Sequence, residues 1–273
     1  MRYLFCAVLL GSIMARQVHA GAWSQPQGAT YAKVSSIFYV ADQVYNDMGD
    51  RQKMGMDDDE FTGDQVFLYI EHGLRDRLTG IGQVSGGVLT STNRLVRQRT
   101  TGIGDAEVGL KYQLINAPVV LSPMLSIKIP TGYHDDYDPA LGTGSADVEG
   151  RILAARSLWP LPLYVGAELG YRWRGGAFSD QLVLSTEIGA TPHERVFLKG
   201  FTSLRNTRSG RQVNLGVVGA GQQVSEGDAV QIGLNGAVRL HGGVWLDVLM
   251  EWTADGENVG AGTSWGIGIS YGG

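Results

Sequence analysis

The chain has one cysteine, Cys6, in 273 residues. It lies inside an apolar N-terminal run, Tyr3 to Ala15, that follows Arg2 and leads to Val18-His19-Ala20, the pattern of a secretory signal with a small-residue cleavage site. Removing residues 1–20 leaves no cysteine, which excludes disulfides, thiol catalysis and thiolate metal sites. Long apolar runs are equally scarce. The signal's own run is short for a membrane-spanning helix, and no later segment is continuously apolar enough to be one. Basic residues are outnumbered, 22 against 27 acidic, and the formal charge of −5 becomes about −7 without Arg2 and Arg16, so nucleic acid is not an expected partner. Histidine is sparse too. Beyond the signal only His72, His134, His193 and His241 remain, and none has a serine two residues on. A catalytic nucleophile needs a base within hydrogen-bond reach, so no enzyme and no cofactor are expected.

What the chain has in excess is glycine, 40 residues, together with strict two-residue alternation. Between Leu163 and Arg174, one face of an extended segment carries Leu163, Val165, Ala167, Leu169, Tyr171 and Trp173. The other carries Tyr164, Gly166, Glu168, Gly170, Arg172 and Arg174. An apolar face that ends in aromatics, backed by a face with two arginines and a glutamate, describes a strand with lipid outside and water inside. The pattern recurs. Val66, Leu68, Ile70 and Leu74 oppose Phe67, Tyr69 and Glu71 before the turn Arg75-Asp76-Arg77. Ala106, Val108, Leu110, Tyr112 and Leu114 oppose Glu107, Lys111 and Gln113. After Asn116-Ala117-Pro118, Leu121, Leu125, Ile127 and Ile129 oppose Ser122, Ser126 and Lys128. Later runs centre on Leu198, Leu234 and Val248. The weakest lies around Val213 to Val224.

Short turns alternate with longer polar connections, as in barrels with tight periplasmic turns and long outer loops. The expected fold is therefore all-β, a transmembrane antiparallel up-and-down β-barrel of about 12 strands, with 10 or 14 as alternatives. Residues 21–273 form that barrel as one domain after the signal peptide 1–20. The closing segment, Ser264 to Tyr271, has the form read by the barrel-assembly machinery, and outer-membrane lipid is the other expected partner.

Alternation assigns a set of charged side chains to the interior: Glu71, Glu107, Lys111, Lys128, Glu149, Arg151, Glu168, Arg172, Arg174, Glu187, Lys199, Arg239, Asp247 and Glu251, with Asp147 beside them. The two signs nearly balance. A ring of one sign selects ions of the other, so a balanced interior is either a weakly selective pore or a salt-bridged plug. Two acidic stretches, Asp57-Asp58-Asp59-Glu60 and His134-Asp135-Asp136-Tyr137-Asp138, match no calcium-loop spacing and read as solvated loops, with no metal site expected. Gly102-Ile103-Gly104-Asp105-Ala106-Glu107 has the glycine spacing of a phosphate loop but leads into a strand, not a helix.

Four stretches occurring in order carry a family resemblance: Thr101 to Tyr112, Ile127-Lys128-Ile129-Pro130-Thr131-Gly132, Leu141 to Glu149, and Glu168-Leu169-Gly170-Tyr171-Arg172. From about Phe67 onward the chain resembles the outer-membrane transporter-like barrels named after the meta-pathway of phenol degradation. The resemblance implies an outer-membrane protein of a Gram-negative bacterium that passes small hydrophobic or aromatic solutes and has no catalytic residues. Gly21-Ala22-Trp23 and the acidic loop from Asp47 to Glu60 also resemble envelope barrels linked to surface polysaccharide. That leaves a non-conducting structural or envelope-assembly barrel as the alternative reading.

Overall fold

The computed structural model describes residues 21–55, 59–133, 137–208 and 226–273. In chain order the strands are β1 (Thr30–Ala41), β2 (Gln43–Tyr45), β3 (Arg51–Lys53), β4 (Glu60–Arg75), β5 (Leu78–Thr92), β6 (Arg97–Tyr112), β7 (Val120–Ile129) and β8 (Asp147–Ser157). They continue as β9 (Leu163–Arg174), β10 (Gln181–His193), β11 (Val196–Thr207), β12 (Asp228–His241), β13 (Val244–Glu257), β14 (Val259–Gly260) and β15 (Thr263–Gly272). Twelve of them close into an antiparallel barrel, each pairing with its neighbours along the chain, and β15 returns to β1 to seal it. Closure leaves no free sheet edge over most of the wall, the condition for crossing a bilayer with strands. The short strands β14, β2 and β3 form a separate three-stranded sheet.

The alternation seen in the sequence becomes an inside and an outside. Val66, Leu68, Ile70, Leu125, Ile127, Leu169, Val248 and Ile267 are exposed on the outer wall, while Glu71, Lys111, Ser126, Lys128 and Glu149 are buried within. The outer wall is thus an apolar belt facing lipid. Aromatics mark its ends: Phe38 stacks on Trp265 at 4.4 Å and Tyr171 meets Trp173 at 5.0 Å toward one rim. Trp159 and Tyr271 lie toward the other. The tight turns gather at the second rim. One is His241-Gly242-Gly243-Val244, where φ of 56° and 89° at the two glycines gives the hairpin geometry whose twist matches the strands it joins. The longer connections, including the small sheet, sit at the other rim.

One feature differs from the simple alternating picture. β6 begins at Arg97, well before the regular run at Ala106, because Gly104 and Asp105 together oppose the single residue Ser85 and break the period. The weak run Val213 to Val224 falls outside the described residues, as do the signal peptide and His134, Asp135 and Asp136.

Candidate functional site: the barrel interior

Residues 21–28 do not leave the barrel. From the tight-turn rim, where the Gly28 amide donates to the Gly73 carbonyl at 2.8 Å, this segment runs into the lumen and lies along the inner face of β4 to β8. Its polar groups are answered one by one. The Gln25 amide donates to the Thr79 hydroxyl at 2.8 Å, and the Gln25 side chain to Glu71 at 3.0 Å. Both the amide and the hydroxyl of Ser24 donate to Gln113, at 2.8 and 2.9 Å. Ser122 donates to the Ala22 carbonyl and Lys111 to the Gly21 carbonyl at 2.7 Å. Ala22 is packed with Val120, Leu153 and Ala155, and Trp23 meets Tyr164 edge-on at 5.4 Å. Gly73 is required by the crossing, since a Cβ there would lie 1.9 Å from the Pro26 carbonyl oxygen. We call this segment the strap.

The charged side chains assigned to the interior all project to the lumen face, and most meet a partner. Glu71 and Lys111 pair at 3.2 Å beneath the strap. Glu149 receives both Arg151 and Arg172, and Arg151 also reaches Glu168 at 3.1 Å. Lys128 bridges Asp147 at 2.8 Å and Asp105 at 2.9 Å, and Arg174 pairs with Glu226 at 3.1 Å. Glu107 lies beside Lys128 and Arg172 in a small cleft of the same wall. Across the lumen Lys199 pairs with Glu187 at 3.1 Å, Lys33 with Asp247 at 3.2 Å, and Glu251 accepts from Gln231 at 3.1 Å. Arg239 faces the lumen at the tight-turn rim.

At the opposite rim the described parts of the β3–β4 and β7–β8 connections fold inward as a lid. Leu141, from the β7–β8 connection, and Met54, between β3 and β4, are buried against Ala41, Phe61 and Leu89 at the inner ends of their strands. A second contact secures the same loop. Tyr133 donates to Asp105 at 2.6 Å and receives the Gly144 amide at 2.7 Å. Burial and the Asp105 carboxylate push the Tyr133 hydroxyl far above its ordinary range, so it remains a donor at physiological pH.

Beside the strap lie two adjoining cavities. One of about 270 Å³ opens near the tight-turn rim between the strap and the β11–β13 wall, lined by Tyr31, Tyr69, Tyr164, Phe197, Phe201 and Trp245 with Lys33, Lys199 and Arg239. The other, of about 250 Å³, lies deeper around Gly21, Glu168, Glu187 and Glu251. Lys199 and Phe201 line both. Glycines keep the rings against the wall: Phe201 covers Gly233 and Tyr164 covers Gly189, where a Cβ would lie 2.1 and 2.0 Å from ring carbons. With a larger residue at either position the ring would have to project into the lumen.

The strap, the Asp105 bulge, Lys33 and the lid lie outside what alternation assigned. Among the described residues no group of three or more His, Cys, Asp or Glu is arranged to hold a metal ion. This geometry defines a class, a membrane-spanning closed barrel with a polar, partly filled interior. None of the family models compared with the chain matches it, and no curated protein does. Solved structures do share the fold. The chain is similar to an outer membrane channel from Pseudomonas putida F1, at 17% identity and a TM-score of 0.74, covering 94% of this chain and 100% of that one. It is also similar to the NanC porin, at 9% identity and a TM-score of 0.56 over 88% and 98%, and to the translocator domain of the autotransporter NalP from Neisseria meningitidis, at 13% and 0.52 over 90% and 89%.

Proposed function

We propose that the protein is a passive passage for small solutes across the outer membrane of a Gram-negative bacterium, with its lumen narrowed at rest by the strap. The observation that carries this reading is the pair of adjoining cavities between strap and wall, one lined by six aromatic rings with charged groups between them and the other by small and polar side chains around Glu168, Glu187, Lys199 and Glu251. Ring-lined surfaces favour flat apolar solutes, and the paired charges beyond them leave no strong field of either sign. Small hydrophobic or aromatic compounds are therefore the proposed cargo, in line with the family resemblance in the sequence and with an outer membrane channel among the structures sharing the fold.

The test is single-channel recording in a planar bilayer for the intact barrel and for one lacking residues 22–27, with aromatic solutes added to either side. Small currents in the intact protein, several-fold larger ones without the strap, and solute-induced blockade are the expected results. The buried ion pairs favour a second reading, a non-conducting structural barrel. Silence from both forms, each verified as folded by its heat-dependent shift on a gel, would establish that reading and overturn the first.

A further inference from the structure

The outer face of the β5–β6 hairpin breaks the apolar and aromatic character of its rim. On β6 the residues facing outward are Ile103, Thr101, Arg99 and Arg97 in succession, while Thr100 and Gly102 face the lumen under the lid. Arg94 follows in the connection, whose tip, with Leu95 and Val96 exposed, is fixed by the Asn93 side chain accepting the amides of both. Arg94, Arg97 and Arg99 are exposed and, among the described residues, none makes an ion pair. Among the described residues of the neighbouring strands, the acidic groups on the same outward face are Asp64 and Glu60, on β4 beyond the intervening β5.

Height along the wall gives this patch its meaning. Ile103, 60% exposed, is level with Val66 through their shared neighbour Gly86, and both belong to the lipid belt. Arg99 lies four residues further, about 13 Å along the strand and roughly 10 Å in height for a strand tilted by about 40°. That is the layer in which lipid headgroups lie. There is also room beside it. β7 ends at Ile129 opposite Ala106, so among the described residues no strand pairs with residues 97–105 of β6 on that side; on its outward-facing part the Thr131 hydroxyl donates to the Ile103 carbonyl, while Tyr133 and Leu141 reach its lumen face.

We propose that this arginine ladder and the open β6 edge beside it bind the phosphate groups of the anionic glycolipid in the outer leaflet. Guanidinium groups match phosphate oxygens two at a time, and three of them at successive levels suit a headgroup with more than one phosphate. The site faces away from the lumen and does not depend on whether the barrel conducts.

Native mass spectrometry of the folded barrel in detergent tests it, using lipid A with both phosphates and the same lipid A dephosphorylated. The expected result is preferential retention of the phosphorylated form, weakened about fivefold for each of R94Q, R97Q and R99Q. The triple variant should lose the preference while R75Q/R77Q, which removes two positive charges at the opposite rim, keeps it. Equal retention of the two lipids by the intact protein, or an unchanged preference in the folded triple variant, would overturn the proposal. Displacement of the lipid by millimolar inorganic phosphate would also overturn it, by marking a simple anion site.

Discussion

Glu71 and Lys111 meet under the strap with each side chain 1% exposed, whereas Glu187 and Lys199, the same two residue types on the facing wall, are 17% and 25% exposed. One pair is sealed by Gln25, Tyr69 and the Gly21 carbonyl, the other stands at the junction of two cavities. The inventory of charge is similar on the two walls. What differs is whether the strap covers it, and that decides whether a pair holds the structure together or lines a space a solute can enter.

Breaking the sealed pair should have the largest effect. Lys111→Met leaves the Glu71 carboxylate buried without its cation and is expected to cost about 3–5 kcal/mol, read as a lower urea midpoint in micelles. Lys199→Met on the facing wall should cost under about 1 kcal/mol while shifting the reversal potential toward cations. Equal losses for the two would remove the distinction. Next comes the lid: Leu141→Ala should destabilise by about 2–4 kcal/mol, with Leu141→Met near neutral in the same denaturation. Ser122→Ala, which strips one hydrogen bond from the strap, should cost about 1 kcal/mol and raise the frequency of channel openings. Smaller still is Gly233→Val, which should narrow the aromatic cavity by displacing Phe201 and lower single-channel conductance with little change in stability.

The lid also carries a pH expectation. The Tyr133 hydroxyl is raised above its ordinary value near 10, so the folded state favours its protonated form. Its contribution is complete below pH about 10 and is lost as pH rises from there toward the folded value. Proteolysis of the 130–146 loop should be flat to pH 9 and rise above 10, and Tyr133→Phe should abolish that rise.

Strand identity was largely legible in the sequence because lipid outside and water inside impose a period of two, which β9 follows without exception from Leu163 to Arg174. Where the period breaks, legibility ends. The bulge at Gly104-Asp105 hid the first half of β6 and with it the arginine ladder. The strap has no period at all: Gly21-Ala22-Trp23-Ser24-Gln25 is read by Lys111, Ser122 and Gln113, some ninety to a hundred residues away in sequence. Only the closed barrel brings those positions to one wall, so no local pattern could announce them.

The most direct test of the uneven lumen uses the absence of cysteine after residue 20. Ser24→Cys and Gln113→Cys, joined by a short reducible linker, would fix the strap to its wall in an otherwise thiol-free barrel. Single-channel current that is low while linked and rises several-fold on adding reductant, toward that of the strap-deleted protein, is the predicted result. Identical current before and after reduction would contradict the account.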